Sequence, residues 1–138
     1  MQVPITIGWR EWVSLPELGI RHLKAKIDTG ARTSALHACS VARQKEKICF
    51  IIRPHSRHSP KKIIKCKADL IDEREITDSG GHKELRYVIK TLIVIGKYQW
   101  PIEITLTSRD DMRFKMLLGR TALKHRFIVD PGRSYLIV

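Results

Sequence analysis

The residue best placed to do chemistry is Asp28, which opens the run Asp28-Thr29-Gly30-Ala31. A carboxylate at a strand end, followed by a hydroxyl and a glycine, puts an acid/base group on a turn. Glycine has no Cβ, so the chain can turn tightly there and a second backbone can come close. Taken alone the tetrapeptide is a weak signal, and a strand leaving a sheet through a turn is its commoner reading. Cys39, Cys49 and Cys66 are odd in number and scattered, and read as reduced thiols rather than a disulfide framework. His55 and His58 stand three apart in a Pro/Ser segment. His37 and Cys39, on one strand face, could share a metal with a third residue, but a buried thiol and a satisfied histidine is the commoner outcome. The chain has no GxxxxGK[ST] phosphate loop and no HExxH. Neither a metal nor a cofactor is expected.

Asp28 needs a strand to deliver it. Leu23, Ala25 and Ile27 alternate with Lys24 and Lys26, which reads as a half-buried strand ending at Asp28. Before it, Ile5 to Val13 reads as one opening strand with Trp9 and Trp12, and Ser14 to Gly19 as a loop. After the turn, Ala35 to Ala38 reads as a short strand and Ile48 to Ile52 as an apolar one. Arg53 to Pro60, with its prolines, serines and histidines, reads as an exposed loop. Ile64, Cys66, Ala68 and Leu70 alternate with polar residues and form a strand with one wet face.

Glu73 to Tyr87 is polar, with Asp78-Ser79-Gly80-Gly81 near its centre. It reads as a poorly anchored hairpin with a glycine tip. Val88 to Ile95 and Tyr98 to Leu106 are longer strands around Gly96. In the second, Trp100, Ile102, Ile104 and Leu106 face one way, and Glu103 and Thr105 the other. Ser108 to Arg113 is a charged loop. Met116 to Arg120 holds a short buried strand ending at Gly119, and Thr121 can cap a helix over Ala122 to His125. Phe127 to Val129 and Tyr135 to Val138, separated by Asp130-Pro131-Gly132, close the chain as two short strands. So many short strands with so little helix imply an all-β fold, a small closed or nearly closed antiparallel barrel.

The length of 138 residues suits one domain over 1–138. No apolar run approaches the ~20 residues of a membrane span. The first residues lack the pattern of a signal peptide, so a cytoplasmic location and no membrane partner are expected. The net charge of +12 favours anionic partners. Residues 43–67 hold nine Lys/Arg against the single acid Glu46, which reads either as a solvated face or as a binding surface. Small basic barrels bind nucleic acid through charged grooves and stacked aromatics. Here the charge fits that class, but the aromatics number nine, and Trp9, Trp12 and Trp100 sit in apolar patterns better explained by core packing.

Three features stand in a fixed order: Asp28-Thr29-Gly30-Ala31, a glycine-tipped polar hairpin, and Leu117-Leu118-Gly119-Arg120 before a short helix. That order resembles the retropepsin-type aspartic peptidases. More closely, the chain resembles a bacterial retropepsin-like family often labelled ATP-dependent zinc proteases. The matching stretches run from Lys24 to Ala38, Trp100 to Thr107, Met116 to Arg120 and Val129 to Pro131.

The resemblance implies a half-enzyme, in which two copies of the chain each give one aspartate, Asp28, to a shared site. Two adjacent carboxylates share one proton. The ionised member activates a water and the protonated member polarises the scissile carbonyl. Thr29 would hold the paired loops together, and Gly30 and Ala31 would lie along the substrate. The hairpin at Gly80 and Gly81 would close over it. Leu118 and Gly119 would pack behind the loop.

Retroviral enzymes carry a second aspartate where this chain has Arg32, and pair it with the arginine that corresponds to Arg120. Arg120 therefore needs another partner, for which Asp130 is a candidate. A cation at position 32 favours acidic side chains in the substrate. Members of the family also resemble proteins associated with ATP-grasp glutamate ligases that add glutamates to ribosomal proteins, so poly-glutamate tails are a candidate substrate. The alternatives are a basic barrel that binds RNA or acidic peptides without catalysis and, less so, the zinc-dependent peptidase of the family label.

Overall fold

The computed structural model describes residues 4–53, 62–77, 79–108 and 113–137. The expected loop from Arg53 to Pro60, with His55 and His58, lies outside the described residues apart from Arg53. So do Asp78, most of the Ser108–Arg113 loop, and Val138.

Eleven strands, one short α-helix and a 3-10 turn at Pro16–Leu18 make up the described chain: β1 (Ile5–Gly8), β2 (Arg10–Leu15), β3 (Ile20–Ile27), β4 (Ser34–His37), β5 (Cys39–Gln44), β6 (Lys47–Ile52), β7 (Ile64–Thr77), β8 (Lys83–Ile95), β9 (Tyr98–Thr107), β10 (Met116–Leu118), α1 (Arg120–Leu123) and β11 (Phe127–Asp130). Strands β2-β3-β10-β4-β9-β8 form a ring, closed where Ser14 of β2 meets Val94 of β8. The sheet continues outward from β8 through β7 and β6 to β5, and β1 pairs separately with β11.

The all-β barrel with its short helix is thus as expected, but its pairing is mixed rather than wholly antiparallel. Strands β3 and β4 leave opposite sides of the Asp28 turn and do not pair with each other. Strand β10 fills the gap, parallel to β3 and antiparallel to β4. A strand placed between two oppositely directed neighbours must run parallel to one of them. Strands β4 and β9 are parallel as well.

Alternation fills the interior. Ile89, Ile93, Ile95, Ile104, Leu36 and Met116 are fully buried, as the period-two patterns require. Trp100 is buried on β9, and its indole N–H donates to the Ala122 carbonyl at 3.1 Å, which pins α1 to the barrel. Trp12 is not a core residue: it is 37% exposed, stacked on His22 and Tyr135 on the outer face of β2–β3.

The expected single opening strand breaks at Trp9. There the backbone N–H turns to the Arg133 carbonyl, and the carbonyl accepts from Ile27. The expected last strand from Tyr135 does not form over 135–137, because Tyr135 has φ +54°. The Leu136 and Ile137 N–H groups instead donate to the carboxylate of Glu11, at 2.9 and 3.2 Å. Glu11 is fully buried and also accepts from Gly8 N–H at 2.7 Å, so one side chain ties both chain ends to the barrel. Burial pushes the Cys66 thiol up to about 11.

Candidate active site

Asp28 follows directly on β3, and its position is fixed by neighbours on both sides. Its backbone N–H donates to the Leu118 carbonyl at 2.8 Å, continuing the β3–β10 pairing by one residue. Its carbonyl accepts from Ala31 N–H at 3.2 Å, and its Oδ1 accepts from Gly30 N–H at 3.0 Å. The run is therefore a turn closed partly by the aspartate's own side chain.

Behind the turn sits the start of α1. The expected cap, Thr121, lies inside the helix, and Gly119 is the N-cap, with no capping side chain. The first helical N–H groups go to the turn instead. Arg120 N–H donates to the Ala31 carbonyl at 2.8 Å, and Thr121 N–H to the Arg32 carbonyl at 3.0 Å. The helix starts two residues earlier than expected and does not reach His125, which has φ +66°. Gly119 is buried against this contact: a Cβ there would lie 2.7 Å from the Thr33 carbonyl carbon and 3.0 Å from the Ala31 oxygen. Its N–H donates to Ser34 Oγ at 3.1 Å, while the Ser34 carbonyl accepts from Thr105 Oγ1 at 3.1 Å.

Arg120 resolves the question of its partner differently from expectation. Its guanidinium does not pair with Asp130; one nitrogen donates to the Thr29 carbonyl at 3.0 Å and the Gly30 carbonyl at 3.1 Å. Asp130 accepts from Gly132 N–H instead. Because position 32 is an arginine, no carboxylate is available there, and the Arg120 donors settle on the carbonyls of the Asp28 turn. Arg32 is exposed and makes no ion pair among the described residues.

Asp28, Gly30, Ala31, Arg32 and Arg120 line a cavity of about 1100 Å³. Its other wall is the long β7–β8 hairpin, which presents Arg74, Ile76, Thr77, Ser79 and Arg86, and the β9 wall adds Glu103 and Thr105. Gly80 and Gly81 lie at the exposed tip. Gly81 takes φ +84° there, and a Cβ at that position would meet nothing within 4 Å. Thr29 and Leu118 do not line this cavity. Thr29 faces a neighbouring groove with Trp9, Phe127 and Pro131, and Leu118 is fully buried behind the turn.

No motif singles out Ser34, Arg74, Arg86, Glu103 or Thr105. Their signal in the sequence is weak: Ser34, Arg86 and Thr105 are polar residues that end up buried, while Arg74 and Glu103 are polar residues of alternating strands that stay partly exposed. Arg74 Nε donates to Asp72 at 2.7 Å, and a terminal nitrogen donates to Glu103 at 2.8 Å, tying the hairpin to the barrel wall. The Arg74 hydrogen bond holds the Asp72 carboxyl below the usual carboxylate range.

His37 Nε2 and Cys39 Sγ approach to 3.8 Å. Among the described residues, no group of three or more His, Cys, Asp or Glu is placed to hold a metal ion. Among the described residues no helix is long and apolar enough to cross a membrane.

The family described as RimB-like, retropepsin-like aspartic endopeptidase RimB, matches residues 6–138. The chain belongs to that family. Four curated relatives match it, each named probable alpha-L-glutamate ligase. The protein of Shewanella halifaxensis is 41% identical over 135 residues, or 95% of this chain. That of Desulfotalea psychrophila is 43% identical over 130 residues, or 91% of this chain. This RimB-like chain spans 29% and 28% of their respective lengths. Among solved structures, a Legionella pneumophila protein of unknown function superposes with a TM-score of 0.78 at 23% identity, covering 97% of this chain and 98% of that one, which shows a shared fold.

Proposed function

We propose that this chain is an aspartic-type peptidase half-site, and that two copies join to hydrolyse peptide bonds in acidic chains. The observation that carries the reading is Asp28. It sits on a turn clamped from behind by Gly119 and Arg120, at the wall of a cavity facing the β7–β8 hairpin.

A single carboxylate cannot both activate water and protonate the carbonyl. A second Asp28, brought up by a second copy, supplies the missing partner, with one proton shared between them. The ionised carboxylate takes a proton from water as its oxygen attacks the scissile carbon. The protonated one donates to the carbonyl oxygen, and the resulting diol collapses with proton transfer to the leaving amine. Thr29 is exposed beside the turn, where it can meet its counterpart. The hairpin acts as the lid that excludes water.

Arg32 and the basic chain favour acidic substrates. The relatives named as glutamate ligases support a link to glutamate chains, so oligo-glutamate is the substrate proposed, in a cytoplasmic setting. The nucleic-acid reading gains little from Trp12, whose ring is already engaged by His22 and Tyr135.

The test is hydrolysis of hexaglutamate and of a neutral peptide by wild type and Asp28→Asn, with sedimentation measured alongside. Cleavage of hexaglutamate by a dimer, abolished in Asp28→Asn, is expected. Cleavage that survives Asp28→Asn ends the aspartyl mechanism, and equal cleavage of the neutral peptide ends the preference for acid.

A further inference from the structure

Arg86 is a cation buried beyond what its one carboxylate partner explains. Its side chain is 9% exposed, and it lines the same cavity as Asp28. Its only carboxylate among the described residues is Glu84, two residues back on the same strand face, reached through Nε at 3.0 Å. Guanidinium carries five N–H donors, and carboxylates are best gripped by two of them in parallel. Glu84 therefore fixes the plane of the group, while its terminal nitrogens make no ion pair among the described residues.

The other arginines of the cavity are less available to an incoming anion. Arg74 stands directly opposite Arg86 across the β7–β8 ladder. Arg74 itself is taken up by Asp72 and Glu103, and Arg120 by two carbonyls. Arg32 has no ion pair among the described residues, but it is exposed, so its attraction is screened. A cation that is nine-tenths buried and faces a cavity large enough for several side chains is the one where a ligand carboxylate gains most.

We propose that Arg86 is the specificity-determining residue of this cavity, receiving a glutamate side chain of the bound peptide as a two-pronged ion pair on the underside of the hairpin. The inference rests on the reading of the cavity as a peptide site. It differs from that reading in placing acid recognition on the hairpin rather than beside the Asp28 turn.

Binding is measured with the full chain carrying Asp28→Asn, using fluorescein-labelled hexaglutamate and hexaglutamine. Adding Arg86→Gln is expected to weaken hexaglutamate by roughly thirty-fold or more, the loss typical of removing one partner from a buried charge pair. Hexaglutamine should bind equally to both proteins. Should Arg86→Gln fold poorly, Arg86→Lys keeps the charge and loses the fork, and an intermediate loss for hexaglutamate alone is expected. Glu84→Gln removes the resident anion and should leave hexaglutamate binding as tight or tighter. If Arg86 and Glu84 form only a structural pair, the ratio of the two affinities will not change in any variant, and the proposal is overturned. Absence of saturable hexaglutamate binding overturns it too. Arg86-dependent binding without hydrolysis by the wild-type chain sinks the peptidase reading alone. Hydrolysis whose KM ignores Arg86 sinks this one alone.

Discussion

Replacing Gly119 by alanine tests whether the turn and the helix truly abut. Gly119 has φ −89° and ψ 175°, an extended conformation open to any residue. On backbone grounds alanine should therefore stabilise the fold by about 0.4–1 kcal/mol, by restricting the unfolded chain. Space argues the other way. The new methyl would sit 2.7 Å from the Thr33 carbonyl carbon and 2.9 Å from its oxygen. Carbon atoms pack at ~3.5–4.0 Å, so the Thr33 peptide must retreat by roughly 0.8 Å or more. That peptide belongs to the segment whose Ala31 and Arg32 carbonyls cap α1, so it cannot move freely. Overpacking of this kind costs ~1–3 kcal/mol, and a lost Ala31–Arg120 hydrogen bond adds ~1 kcal/mol. The net expectation is a loss of about 1–3 kcal/mol, or roughly 4–12 °C in Tm for a domain of this size. Urea and thermal unfolding measure it. Gly132→Ala is the control, since its Cβ would meet only Asp130 Oδ1 at an ordinary 3.5 Å, and a change within ~0.5 kcal/mol is expected there. A Gly119→Ala protein as stable as wild type would refute the abutment, and with it the account of how Asp28 is held.

Other perturbations probe separate contacts. Arg120→Ala removes the donors on the Thr29 and Gly30 carbonyls. Amide exchange across residues 29–32 should quicken by roughly five-fold, matching about 1 kcal/mol for an exposed bond, and unchanged exchange would mean the clamp is idle. Glu11→Ala strands three backbone N–H groups and should cost about 3 kcal/mol or more. Glu11→Gln keeps one acceptor oxygen and should cost less, and equal losses in urea unfolding would contradict the bonding described. Because the folded Cys66 thiol is raised from 9.0 to about 11, the unfolded chain releases its proton first on raising the pH. Stability should be unaffected below pH 9.0 and fall progressively from there up to about pH 11. Cys66→Ala should remove that slope, as denaturant midpoints across this range will show.

Much of the local structure around Asp28 was legible because it is set by nearby residues. The Leu23–Ile27 alternation ends at Asp28 in the fold as in the sequence, and the glycine-tipped hairpin falls where Ser79 to Gly81 place it. What was not legible depended on contacts between distant segments. Nothing local to Met116–Leu118 says that these residues will run parallel to β3, since that direction follows from the gap between β3 and β4. Thr121 has the right chemistry for a cap, but the carbonyls of Ala31 and Arg32, some ninety positions away, took the donors first. Trp12 alternates like a core residue and lies outside, because the next strand over, β3, offers His22 on the outer face for it to stack on. Arg74 and Arg86 are opposed only once the hairpin register is known.

The exchange of an acid for Arg32 has a consequence beyond the loss of one ion pair. An arginine at position 120 paired with a carboxylate would be neutralised within the chain. Here Arg120 donates to two neutral carbonyls, which orient it without cancelling its charge. Four arginines line the cavity against three carboxylates, and one of those three is Asp28 itself. In the paired site proposed above the two Asp28 groups would carry one shared proton, so the surplus of positive charge would grow on dimerisation. For the acidic substrate proposed above, a cavity so charged would supply long-range attraction, least screened beneath the hairpin. The carbonyl clamp on the Asp28 turn and part of the cavity's surplus of positive charge both follow from an arginine, rather than a carboxylate, at position 32.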